Sequence, residues 1–253
     1  VPPPPGPPDV LVVGAPRSGT SLVGQLLADA GFHFGRHLLA ATDANPRGFY
    51  EDVEVTELGD ELLLPHLPPG HGPAEAPARL AWLAVLGDEV SVSATPAQRA
   101  RFAALLPERP ACIKDPRFPY VLDAWRPALR PGTRFVAVVR APGEVATSLR
   151  AMWQRDPGYY AGFEVTLDHG FALWEAVNRR LLRLCADGRW LVVDHADLVT
   201  GRALPALGRF VGLPIPEGAI DVDLHRSAPA PGTPDRAAAL YAALAALARE
   251  AVA

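Results

Sequence analysis

Twelve residues near the start of the chain, VLVVGAPRSGTS at positions 10–21, carry the first recognisable chemistry. Val10 to Val13 run into Gly14, and Gly19 follows five positions later, ahead of the helically spaced LVGQLLADA. A buried strand, a glycine-bounded loop and a helix N-terminus in that order form a cradle for an anion. The glycines let backbone N–H groups approach it, and the helix dipole favours negative charge. A triphosphatase loop would read GxxxxGK followed by Ser or Thr, its lysine reaching the phosphates and its hydroxyl holding magnesium. The glycine spacing here fits, but Thr20 stands where that lysine would be and the cation is Arg17, at the front of the loop.

Two further stretches place cations after apolar runs. ACIKDPR ends its apolar run at Lys114, the only lysine among 24 basic residues, and RFVAVVRAPGEVATS ends its own at Arg140. In the second, Pro142 is well placed to open a helix. Ser148, eight residues after Arg140, then lies roughly 9 Å along that helix from Pro142. Arg140 and Ser148 are therefore expected to converge on one anion from two sides. A single charged residue after a strand is commonplace; three with a glycine-bounded loop point to an anion site.

The elements that must position these residues alternate between strands and helices. Strands are expected at 9–13, 111–114, 134–139 and 190–193. Helices are expected at 20–30, 53–64, 79–86, 96–106, 118–129, 142–153, 166–186, 203–211 and 236–252. Residues 65–78, with five prolines and two glycines, read as a loop. Long loops of this kind serve as lids or substrate loops, or stay disordered. Strands separated by helical segments imply a parallel sheet with helices on both faces, whose ligands bind beyond the C-terminal strand ends. Arg17, Lys114 and Arg140 are thereby expected on one edge.

The 253 residues suit one domain at 9–253 behind a disordered proline-rich tail, VPPPPGPP, at 1–8. A hydrophobic share of 49% with 21% charged residues describes an ordinary chain able to bury a core, and a net charge of −4 speaks against nucleic acid as a partner. No apolar run is long enough for a transmembrane segment, and no basic stretch leads an apolar core as in a signal peptide. Cys112 and Cys185 form no CxxC and read as small apolar residues in a reducing compartment; the expected location is cytoplasmic.

Pro-Arg-Ser-Gly-Thr after a hydrophobic strand resembles the 5′-phosphosulfate loop of sulfotransferases dependent on 3′-phosphoadenosine 5′-phosphosulfate (PAPS). Strand-Arg-x-Pro with its downstream serine resembles their 3′-phosphate element. NPRGFYED resembles a segment of many bacterial members, and WLVVDHADLV their last strand, with His195 and Ala196 replacing the more usual aromatic–acid pair. The resemblance spans about 9–225. It implies a P-loop-type α/β three-layer sandwich, with a central parallel sheet flanked by helices. It also implies PAPS as co-substrate and PAP as product, with Pro16, Arg17, Ser18, Gly19, Thr20, Ser21, Arg140 and Ser148 as the binding set and Arg17 and Lys114 as catalytic cations.

The acceptor hydroxyl also needs a general base. In cytosolic small-molecule members a histidine follows the second strand, but Pro116 falls there. Resemblance to carbohydrate and protein sulfotransferases points instead to Glu51, with Asp52, His33, His37 and Asp115 as alternatives. Phe32, Phe34, Phe49, Trp153, Tyr159 and Tyr160 supply an aromatic acceptor wall, suiting a small-molecule, natural-product or carbohydrate hydroxyl. His225 and Arg226 are candidates for a nucleotide lid. A small P-loop kinase and a non-catalytic PAPS- or phosphate-binding module are the competing readings.

Overall fold

The computed structural model describes residues 6–42, 45, 47–69, 85–87, 89–155, 164–185, 188–216, 220 and 232–252. Four short strands, β1 (Val10–Gly14), β2 (Cys112–Lys114), β3 (Arg134–Val139) and β4 (Trp190–Asp194), pair in the order β2-β1-β3-β4, all parallel. The strands are buried on both faces, which is why they read as continuous apolar runs rather than alternating ones. Register places Val12 beside Lys114, Gly14 beside Val138 and Val139 beside Asp194. Residues 15–17, Lys114, Arg140 and His195 therefore share the C-terminal edge of the sheet.

The helices are α1 (Thr20–Asp29), α2 (Val53–Leu63), α3 (Pro96–Ala104), α4 (Phe118–Trp125), α5 (Pro142–Arg155), α6 (Leu167–Leu184), α7 (His195–Val199), α8 (Leu204–Val211) and α9 (Asp235–Val252). Alternate strand residues build two cores. Val10, Val12, Cys112, Val136, Val138, Leu191 and Val193 pack with Val23 and Leu27 of α1 and Leu204 and Leu207 of α8. Leu11, Val13, Ile113, Phe135, Ala137, Val139 and Val192 pack with residues of α2 to α6 and α9 on the other face. This is the expected three-layer α/β sandwich.

The departures have local causes. β1 starts at Val10 because Asp9 is engaged sideways: its Oδ1 accepts from Ala111 N at 3.0 Å and its Oδ2 from Arg130 at 3.2 Å. The helix expected to 129 ends at Trp125 and gives way to a 3₁₀ turn, Arg126–Ala128, where Pro127 offers no N–H. α2 likewise runs into a 3₁₀ turn at Leu64–His66 instead of a loop from Pro65. The short α7 is distinct from β4 because Asp194 caps it through Ala196 N, 2.8 Å. Most of the expected loop at 65–78 and helix at 79–86 lies outside the described residues.

Gly14 marks where the sheet admits no side chain. A Cβ there would sit 2.6 Å from the Val138 carbonyl oxygen and 2.9 Å from Thr20 Cγ2. Gly14→Ala is expected to lower stability by about 1–3 kcal/mol, the usual cost of overpacking, in urea denaturation. A stability equal to wild type would show that β1 and β3 can part without cost.

Candidate active site

The loop between β1 and α1 takes its shape from two left-handed residues, Arg17 (φ 68°) and Gly19 (φ 95°). Gly19 is the N-cap of α1 and offers no side-chain cap, and the first turn of α1 carries no acid. The leading N–H groups of α1 thus face the loop without a carboxylate competing for them, as an anion cradle requires. Gly19 is also demanded by space: a Cβ there would fall 2.5 Å from Cδ2 of His195, the first residue of α7. Pro16, Ser18 and Thr20 are buried, and Ser18 N closes a turn onto the Ala15 carbonyl at 3.1 Å. Non-glycine residues at positive φ are costly and collect at functional sites.

Arg17, Arg140 and Ser148 come together, though by a different route from the expected one. Arg17 Nε donates to Ser148 Oγ at 3.0 Å, and Arg140 Nη1 donates to the Arg17 carbonyl at 3.1 Å. Arg140 and Ser148 are linked through the loop residue between them. Glu144, in the first turn of α5, accepts from Arg140 Nε at 2.7 Å, and the Trp174 indole N–H donates to the Arg140 carbonyl at 2.9 Å. Two buried polar atoms here, Ser18 Oγ and Arg140 Nη2, have no hydrogen-bond partner. Such orphans are costly and call for a ligand. Both atoms can donate a hydrogen bond, the chemistry an anionic group's oxygens require.

Lys114 is buried, not the solvated lysine its position at a strand end would allow. Its Nζ donates to Glu51 in a very short contact and to Ser21 Oγ at 3.3 Å, on the first turn of α1. Asn45 Nδ2 also donates to Ser21 Oγ, at 3.0 Å. Glu51 is delivered by Tyr50, whose backbone is left-handed (φ 57°) and whose ring packs on α1 at Gly24. Burial pushes the Glu51 carboxyl above the usual range, more than the neighbouring Lys114 ammonium draws it down. A raised carboxylate beside a cation at the loop's edge has the character of a general base.

The other base candidates are placed elsewhere or occupied. Asp52 caps α2 through Glu54 N at 2.9 Å and also accepts from His37 N at 3.2 Å. Asp115 is wholly buried, accepting from Thr56 Oγ1 at 2.9 Å and Arg117 N at 2.7 Å and pairing with the Arg117 guanidinium. His37 is exposed on Glu54 of α2. His33 bridges to Ala111, at the N-terminal end of β2 and away from the loop. Phe32 does not line an acceptor wall: it is buried against Val23 and Leu27. Phe34 and Tyr50 form an aromatic pair, ring centroids 5.2 Å apart, and Trp153 packs against the core. Tyr159, Tyr160, His225 and Arg226 lie outside the described residues.

In the sequence His195 stood out only as a departure from the family's usual aromatic–acid pair, with no place at the site, and Glu144 and Trp174 were not singled out. The signal for His195 was its place directly after the fourth strand, on the edge that supplied Arg17, Lys114 and Arg140. Glu144 meets Arg140 at a spacing of four residues, a local signal not used, whereas Trp174 acts on Arg140 from a separate helix and nothing local marks it.

No curated protein matches the sequence. Among solved structures, the sulfotransferase domain from the Synechococcus olefin synthase is 21% identical, with TM-score 0.54, covering 94% of each chain. The sulfotransferase domain from the curacin biosynthetic pathway is 18% identical, with TM-score 0.52, over 91% of this chain and 82% of that one. A sulfotransferase from Mycobacterium tuberculosis is 15% identical, with TM-score 0.50, over 95% and 77%. At these identities the likeness is one of fold. The sequence pattern of the sulfotransferase family matches residues 8–217, which hold the loop, Glu51, Lys114, Arg140, Ser148 and β4, and the chain belongs to that family.

Proposed function

We propose that the protein transfers a sulfuryl group from PAPS to a hydroxyl of a small-molecule, natural-product or carbohydrate acceptor and releases PAP. The observation that carries this reading is the junction of the glycine loop with Arg140 and Ser148 through Arg17. There two buried polar atoms stand without partners beside an uncapped helix N-terminus. The loop N–H groups, Arg17, Ser18, Thr20 and Ser21 would hold the 5′ end of the donor, and Arg140 with Ser148 its 3′-phosphate.

The donor, when bound, supplies an activated sulfuryl group whose bridging oxygen gains negative charge as the S–O bond opens. Catalysis of this kind rests on positioning and charge stabilisation. Arg17 and the amides around Gly19 are fixed in advance by the contacts above, so little reorganisation accompanies the developing charge. Lys114, held beside Ser21 at the start of α1, adds a buried ammonium on the same edge. Glu51 takes the proton of the acceptor hydroxyl at its carboxylate. A pattern of Phe34 and Tyr50 near Glu51 favours an acceptor with an apolar or sugar face over a polyanion.

Titration calorimetry with PAP, without magnesium, tests the donor site. Wild type is expected to bind and the Arg140→Ala/Ser148→Ala double variant to lose roughly a hundredfold or more, the worth of two hydrogen bonds to a charged group. ATP binding that requires magnesium, with PAP ignored, would overturn the reading in favour of a kinase.

Glu51→Gln is expected to lower kcat by about 10²- to 10⁴-fold and leave PAP affinity unchanged. Asp52→Ala, which removes the α2 cap and the hydrogen bond from His37 N, should cost about 1–2 kcal/mol of stability and keep turnover. The reverse pattern would transfer the base role to Asp52.

Because a base works deprotonated and the Glu51 carboxyl is raised, activity is lost as pH falls through that raised value. The acid limb of kcat/KM should therefore lie above the ordinary glutamate value of about 4.3. A limb at or below that value would exclude Glu51.

A further inference from the structure

The residues matched by the family end at 217, yet α9, at Asp235–Val252, packs along β4 and places one polar side chain at the site's edge. Tyr241 Oη donates to Asp194 Oδ2 at 2.6 Å. The other oxygen of the same carboxylate caps α7 through Ala196 N at 2.8 Å. Between those two residues stands His195, whose ring lies against Gly19 in the space a Cβ would need. Asp194 is thus held from both sides, and the residue it positions closes the underside of the phosphate loop. A second path leads from the same tyrosine. Its ring meets the Trp174 indole edge-on, centroids 6.4 Å apart, and that indole donates to the Arg140 carbonyl.

We propose that Tyr241 is a positioning residue for the donor loop: through Asp194 its hydroxyl fixes the start of α7, and with it the His195 ring that holds Gly19 in its left-handed conformation. The phenol stays protonated as a donor, since burial and the Asp194 carboxylate beside it raise its pKa. A phosphate loop built on positive-φ residues is intrinsically strained, so its shape depends on neighbours that leave no alternative. Precision at such a site comes from the residues that support the ligand-binding groups. On this view the C-terminal helix is part of the donor site without touching the donor. The inference rests on the proposed donor site for its ligand readout, and on the free protein for its loop readout.

The test compares wild type, Tyr241→Phe and Arg236→Ala. Tyr241→Phe keeps the ring on Trp174 and removes only the hydroxyl. Arg236→Ala breaks a second polar contact of α9, its ion pair with Glu175 at 2.8 Å, and leaves the Tyr241–Asp194 bond in place. Amide hydrogen exchange of the free proteins is read over residues 15–24 and over α9, together with PAP affinity. In Tyr241→Phe, exchange over 15–24 is expected to quicken and PAP affinity to fall, each roughly tenfold, as for one lost hydrogen bond to a carboxylate, with exchange within α9 unchanged. Arg236→Ala should leave both the loop exchange and PAP affinity at wild-type values.

Unchanged loop exchange in Tyr241→Phe would overturn the inference. So would an equal loosening of the loop in Arg236→Ala, which would mean that docking of α9 as a whole is what matters. If wild type takes up no PAP, the donor reading fails, while the loop exchange still decides the role of Tyr241.

Discussion

The site hangs on one residue's backbone. Arg17 adopts a left-handed conformation, and both of its ends are fastened to structure from the far half of the chain. Its guanidinium donates to Ser148 on α5, and its carbonyl accepts from Arg140 at the end of β3. Such a conformation is unfavourable for arginine in isolation and persists only because the surroundings over-determine it. The glycine loop is therefore tied to a strand and helix more than a hundred residues away. Gly14 and Gly19 serve the same constraint, since each lies where a side chain would push apart two elements that must touch.

The second feature is the buried pair of Lys114 and Glu51. Breaking such a pair leaves an uncompensated charge, whereas apolar replacement of both partners is often tolerated. Lys114 holds the raised Glu51 carboxyl and meets Ser21 at the start of α1, so the pair and the glycine loop share one hydrogen-bonded path. Asp115 and Arg117, one and three residues on, tie the end of β2 to α2 through Thr56 and Asp60.

What the sequence determined by itself was the class of fold and the edge where the site lies. Continuous apolar strands alternating with amphipathic helices imply a covered parallel sheet, and the residues directly after each strand must emerge on one side of it. Arg17, Lys114, Arg140 and Ser148 were legible because local rules, strand then loop then helix, decide their position. The glycine pattern was legible for the same reason.

Tertiary structure alone decided the rest. Glu51 and Asp52 are adjacent and chemically alike; only the packing of Tyr50 on α1 and the capping of α2 sends one to Lys114 and the other to backbone N–H groups. Phe32 and Phe34 differ by two positions, yet one is core and the other pairs with Tyr50. Trp174 and Tyr241 reach Arg140 and Asp194 across separations of 34 and 47 residues, by contacts that no spacing encodes. The physical reason is that secondary structure follows from short-range sterics and periodicity. Which side chain of a neighbouring pair meets a partner depends on how distant elements pack, and that is settled only when the whole core closes.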